Sequence, residues 1–149
     1  MYSISAPCGH VTRVSGVSGT SDSYTTLPNA FSGVYATLAT SLVSTVLASG
    51  TPYLPSGVLL NVNYPAVDNG CTAPKLVLTR QTSANLLGTD VQICSYTDKR
   101  LPTESTVLDS AGCWASVTVL TASKVDASAA LQEQVYKKLN TVLTCYTQA

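Results

Sequence analysis

The run Leu54–Pro65, reading LPSGVLLNVNYP, constrains the fold of this chain more than any other. Val58, Leu59, Leu60 and Val62 make a nearly continuous apolar run, bounded by Pro55-Ser56-Gly57 before it and Asn63-Tyr64-Pro65 after it. Turn residues at both ends and aliphatic residues between them predict a strand, and the lack of strict polar alternation predicts one covered on both faces, inside a sheet. Such a strand needs neighbours on either side and further layers above and below it, so the expected fold class is α/β.

The segments around it supply those layers. Upstream, Val34, Tyr35, Leu38, Ala39, Leu42, Val43, Val46 and Leu47 recur as pairs on one helical face, with Ser32 or Asn29 to cap the start and Gly50 followed by Pro52 to stop it. Downstream, Lys75–Thr79 and Asp90–Tyr96 are expected to pair as antiparallel strands of a hairpin around Ser83–Gly88. Thr97–Gly112 reads as a polar excursion that returns into the strand Trp114–Leu120. In that strand Val117 and Val119 face one way, and Trp114, Ser116, Thr118 and Leu120 face the other. A last helix is expected from about Ser128 to Thr144, with Leu131, Val135, Leu139, Val142 and Leu143 on one stripe. Asp126 or Ser128 caps it, and Lys137 and Lys138 lie on its exposed later turns. Residues 1–13 show no periodicity and are taken as an irregular lead-in to one domain over 14–149. At the junction a weak strand, His10–Val14, runs into the Gly/Ser-rich segment Val14–Ser23. Such a segment reads first as a loop and second as a set of backbone amides open to an anion.

Composition narrows the functions. Only 11% of residues are charged, against about a quarter in an average soluble protein. Eight basic residues balance eight acidic ones with no basic cluster beyond Lys99-Arg100 and Lys137-Lys138, so the counter-ion release that drives polymeric nucleic-acid binding has no source here. Val34–Leu47 is interrupted by Thr and Ser and does not read as a membrane span. No membrane partner is expected.

Five cysteines, Cys8, Cys71, Cys94, Cys113 and Cys145, without a C-x-x-C pair, point to disulfides in an oxidising compartment rather than to zinc. Met1–His10 has neither the basic nor the apolar region of a signal peptide, so a secreted origin implies a truncated or mis-started chain. Strand Trp114–Thr121 rises about 26 Å and helix Ser128–Cys145 runs about 27 Å, so a helix returning antiparallel brings Cys145 back to Cys113. Cys71 with Cys94 is the second expected bond, because Cys71 precedes the strand expected to pair with Asp90–Tyr96, and Cys8 is left over as the free thiol.

"LPSGVLLNVNYPAV", "KLVLTRQ" and "GCWASVTVLTA" together resemble the C-terminal half of the SurE-like phosphatase/nucleotidase family, in its secreted fungal acid-phosphatase branch. The resemblance covers most of the chain from about Gly16 onward. It implies an incomplete three-layer α/β domain made of the C-terminal part of the sheet, a covering helix, a hairpin excursion and a C-terminal helix. Complete members hydrolyse phosphomonoesters, nucleotides among them, with a divalent cation such as Mg²⁺ or Mn²⁺. They also associate through an excursion that corresponds to Val91–Gly112, which implies a homo-oligomer.

The metal in that family is held by adjacent carboxylates of an Asn-Asp-Asp-Gly turn, because polarising a phosphoryl group requires clustered hard oxygen ligands. No such turn occurs here, and the acidic residues Asp22, Asp68, Asp90, Asp98, Glu104, Asp109, Asp126 and Glu133 are all separated in the chain. The family's Ser loop and Gly-rich Asn loop are missing too. The chain is therefore expected to hold no metal, to carry no catalytic residue and to be inactive by itself. A nucleophilic triad from His10, Ser15 or Ser18, and Asp22 is disfavoured, since Gly16-Val17-Ser18-Gly19-Thr20 sets the second glycine one place too early for a nucleophile elbow. Cys8 has only His10 nearby in sequence to activate it. Asn69-Gly70-Cys71 reads as a turn rather than a glycosylation site. The alternative function is a small secreted, disulfide-stabilised protein that binds a partner through loops bearing Tyr53, Tyr64 and Tyr96.

Overall fold

A computed structural model describes residues 2–5, 11–16, 32–67, 70–81, 88–96, 99–121 and 126–147. The chain runs β1 (Tyr2–Ser5), β2 (Val11–Gly16), α1 (Ser32–Ala48), β3 (Val58–Tyr64), β4 (Lys75–Thr79), α2 (Glu104–Leu108), β5 (Trp114–Thr121) and α3 (Ala129–Leu139). The strands form a five-stranded mixed sheet in the order β1-β2-β3-β5-β4. β2 is parallel to β3 and β4 is parallel to β5, while β1–β2 and β3–β5 are antiparallel.

β3 sits in the middle of the sheet, as its sequence predicts. The turn before it closes through Val58 N donating to Pro55 O at 3.1 Å, with Gly57 at φ +71°, a conformation that L side chains rarely adopt. Its two faces are not equivalent, however. Val58, Leu60, Val62 and Tyr64 are buried, whereas Leu59, Asn61 and Asn63 alternate with them at intermediate exposure. The buried side joins Ala115, Val117 and Val119 of β5, Leu78 of β4, Leu42 and Val46 of α1, and Val135 and Leu139 of α3 in one apolar core. On the opposite face Val77, Val107 of α2, Tyr146 and Trp114 make a smaller one. Helices thus cover both faces, giving three layers among the described residues.

α1 follows its expected span and stops at Gly50, whose φ is +79°. Lys138 of α3 reaches that helix end, donating to Gly50 O at 3.3 Å, where a cation meets the negative pole of α1. Lys138 is therefore half-buried, and Lys137 stays in solvent. β5 places its residues on the two faces as predicted.

Four expectations are corrected. Residues 1–13 are not irregular throughout: Tyr2–Ser5 is a strand, and β2 crosses the assumed boundary, paired along its length with β3. Asp90–Tyr96 is not a strand. β4 takes β5 as its parallel partner, and its outer side meets the C-terminal tail, with Leu143 bridging Leu76 and Thr144 N donating to Leu76 O at 2.8 Å. Within the polar excursion a short helix, α2, is capped by Thr103, whose hydroxyl accepts from Thr106 N. α3 ends at Leu139. Ser128 occupies its N-cap position without a side-chain cap bond, and Asp126 instead accepts from Gln81 N at 2.7 Å.

The disulfides are Cys71–Cys113 and Cys94–Cys145, not Cys113–Cys145 and Cys71–Cys94. Because β4 and β5 are parallel and start level, with Lys75 opposite Trp114, the cysteines preceding them meet at the same end of the sheet. The residues after α3 do not bring Cys145 to Cys113. They pass along the far side of β4, where the segment holding Cys94 lies. The four bonded cysteines are those expected, and Cys8 lies outside the described residues.

Tyr64 is 1% exposed and its hydroxyl has no hydrogen-bond partner among the described residues. Burial pushes this phenol from 10.0 up to about 12. The raised value means that the folded state favours the protonated ring. Its contribution is complete below pH 10 and is lost as pH rises toward 12. We expect Tyr64→Phe to leave stability unchanged at neutral pH or raise it by up to about 1 kcal/mol, and to flatten its alkaline decline, both measured by urea unfolding. A loss of stability at neutral pH would show that the hydroxyl is bonded.

Candidate functional site

The half-exposed face of β3 continues across the sheet as a row of polar side chains. Register sets Asn61 opposite Thr118 and Thr118 opposite Thr79, while Asn63 lies opposite Ser116. Glu104, the first residue of α2, comes down onto this row. Its Oε1 accepts from Asn61 Nδ2 at 2.7 Å and from Thr118 Oγ1 at 2.5 Å. Thr118 and Thr79 hydroxyls are 2.7 Å apart. A threonine has one hydroxyl proton, so Thr118, which gives its own to the carboxylate, accepts from Thr79. Asn63 Nδ2 donates to Ser116 Oγ at 3.0 Å. On the next strand Arg13 and Ser15 are the register partners of Asn61 and Asn63.

A second polar cluster lies on the other face, where the chain leaves β4. Arg80 and Asp90 form an ion pair at 2.9 Å with side chains 1% and 5% exposed. Asp90 is held on both oxygens: Oδ2 also accepts from Leu101 N at 2.9 Å, and Oδ1 accepts from Gln132 Nε2 at 2.9 Å. Gln132, buried on α3, returns a bond through Oε1, which accepts from Val91 N at 2.8 Å. An open groove of about 600 Å³ borders this cluster between Thr89–Ile93 and α3, with the Glu133–Lys137 pair at its rim.

Glu104 is engaged by neutral donors and fastens α2 to the sheet, and Asp90 neutralises a buried guanidinium. Among the described residues no three His, Cys, Asp or Glu side chains gather closely enough to hold a metal ion. These residues do not fit a hard divalent cation, which requires several clustered oxygen ligands. Of the triad candidates, Ser15 is in β2, and His10, Ser18 and Asp22 lie outside the described residues, as does Asn69 of the Asn69-Gly70-Cys71 turn. Nor do the three tyrosines of the alternative reading form one surface. Tyr53 is 36% exposed, Tyr64 is in the core, and the Tyr96 hydroxyl accepts from Tyr146 N at 3.0 Å. Burial pushes the Tyr96 phenol up, partly offset by that bond. Among the described residues no helix is long and apolar enough to cross a membrane.

Both clusters escaped the sequence reading because their members come from distant elements. The one available signal was polar residues at alternate positions, Asn61 and Asn63 in β3 and Ser116 and Thr118 in β5.

The fold is thus that of a mixed α/β protein with two disulfides. Its sequence is similar to a protein named acid phosphatase from Yarrowia lipolytica (strain CLIB 122 / E 150), with 32% identity over 126 residues, covering 66% of this chain and 35% of that protein. The chain therefore spans about a third of its relative's length. No protein-family model matches the chain, and no solved structure does.

Removing Asp90 leaves the Arg80 charge buried without its carboxylate and frees the Leu101 amide and the Gln132 side chain. Asp90→Ala should destabilise the fold by about 3–5 kcal/mol, measured by chemical denaturation, with Glu104→Gln costing clearly less. An Asp90→Ala loss within 1 kcal/mol of zero would mean that the ion pair does not hold β4 and α3 together.

Proposed function

We propose that this chain is the C-terminal portion of a secreted SurE-like acid phosphatase or nucleotidase, and that it is catalytically silent by itself. The observation that carries the reading is the similarity to the Yarrowia protein named acid phosphatase, over a third of that protein's length. The central position of β3, whose LPSGVLLNVNYPAV sequence carries the SurE resemblance, supports it further. Two disulfides favour an oxidising compartment, and hence secretion.

In this reading the complete protein hydrolyses phosphomonoesters, nucleotides among them. The divalent cation, Mg²⁺ or Mn²⁺, supplies electrophilic assistance to the phosphoryl group when bound. Its ligands belong to parts of the complete protein outside the matched portion. What these residues contribute is the frame: β3 and β5 carry the sheet forward, Glu104 anchors α2 over the polar row, and Arg80–Asp90 joins β4 to α3.

Purified chain incubated with p-nitrophenyl phosphate or a nucleoside monophosphate, in Mg²⁺ or Mn²⁺, should release phosphate no faster than buffer. Turnover that is abolished both by a chelator and by Asp22→Asn would overturn the silent assignment. The coding DNA upstream of Met1 tests the other half of the reading, since an in-frame Asn-Asp-Asp-Gly there is expected.

A further inference from the structure

The two disulfides sit in different surroundings. Cys71 is 7% exposed and its bond to Cys113 is set at the start of two paired strands, with Lys75 N donating to Cys113 O at 2.9 Å. Cys94 and Cys113 are both half-buried, Cys145 is exposed where Cys71 is not, and all four lie outside regular secondary structure. Cys94 and Ser95 also hold φ at +60° and +52°, left-handed conformations disfavoured for side-chain-bearing residues. The backbone at Cys94 is thus held where it would not rest if freed.

What this second bond secures is well defined. The tail after α3 runs along the outer side of β4, bonded there through Thr144 N to Leu76 O. Beyond Cys145, Tyr146 turns under the sheet, its ring edge-on to Trp114 with centroids 5.5 Å apart and its amide on the Tyr96 hydroxyl. Leu143 also packs against the main core, and Tyr146, buried beside Val77 and Val107, donates its hydroxyl to Thr106 O at 3.4 Å; Cys94–Cys145 is the covalent tie among these contacts.

We propose that Cys94–Cys145 is a reduction-sensitive clasp: a dithiol reductant opens it before Cys71–Cys113, releasing the C-terminal tail and uncovering the outer edge of β4. The exchange balances in two steps. A thiolate of the reductant attacks one sulfur, forming a mixed disulfide and expelling the other as thiolate. The reductant's second thiol then displaces the protein sulfur, giving two protein thiols and an oxidised, disulfide-bonded reductant. Access of the attacking thiolate favours the exposed bond, and relief of the left-handed backbone at Cys94 favours its remaining open.

The test uses the intact chain, with pre-existing thiols first blocked by iodoacetamide and then limited dithiothreitol added. New thiols are trapped with a second alkylating agent and mapped by mass spectrometry. Cys94 and Cys145 should be labelled on the order of tenfold faster than Cys71 and Cys113. In the same partly reduced protein the Thr144 amide should lose hydrogen-exchange protection. Trp114, the sole tryptophan, should shift its emission to longer wavelength as Tyr146 leaves. Cys145→Ser should reproduce both signals with Cys71–Cys113 intact; if that variant does not fold, the partly reduced wild-type protein decides. Equal or faster labelling of Cys71 and Cys113 would overturn the proposal, as would a Thr144 amide that stays protected after Cys94–Cys145 has opened.

Discussion

A buried guanidinium is tolerable only beside a carboxylate that is itself fully engaged, and the Arg80–Asp90 pair meets that condition at the place where three elements converge. Arg80 continues directly from β4, Asp90 lies in the segment 88–96, and Gln132 belongs to α3. The pair gives these elements a specific relative position that apolar packing would leave less defined. Arg80 also uses its backbone, donating from N to Pro102 O at 3.0 Å and accepting from Glu104 N at 2.9 Å. One residue therefore places α3 on one face of the sheet and the start of α2 on the other.

From Arg80 the polar row follows. Glu104 is fixed in sequence next to Thr103, which caps α2, and in space by its amide on Arg80 O. Its carboxylate then falls over β5 and β3, where Asn61 and Thr118 present donors. A carboxylate at the first turn of a helix is favourable in its own right, near the positive pole of the helix. The network thus serves local helix formation and sheet attachment with the same side chain.

How much of this was legible in the sequence depends on the range of the interaction. β3, β5, α1 and most of α3 were readable because their signals are local: an apolar run between turns, alternation along β5, a helical stripe ended by Gly50. The pairing of Lys75–Thr79 was not. A short apolar strand does not state whether its partner precedes or follows it, and proximity in sequence favoured a hairpin where the fold uses a parallel partner more than thirty residues away. The disulfide error came from the same source. Element lengths alone return Cys145 to Cys113, and only the side of β4 on which the tail passes decides otherwise. Asn61 and Thr118 were visible as polar interruptions of strands, but Glu104, which explains them, lay in a segment whose helix is too short for periodicity to reveal.

These observations converge on β4. It is five residues long and lies at the end of the strand order, with β5 as its one strand partner among the described residues. A short edge strand in parallel pairing is weakly held and open to foreign strands. Cys71–Cys113 ties it to β5 at its start, Leu143 and Thr144 meet it at Leu76, and Pro102–Glu104 meet Arg80 just past its end. The disulfides close loops separated by 42 and 51 residues, and each is worth about 4 kcal/mol in the chain-entropy view. That is much of the net stability of an ordinary domain. The chain therefore concentrates covalent bonds, an ion pair and its C-terminal tail around one short edge strand, and the consequence is specific. Cys71–Cys113 and Arg80–Asp90 act on β4 from its two ends and do not depend on the tail, whereas the tail depends on Cys94–Cys145, so the edge can be uncovered in the middle while the strand stays in place.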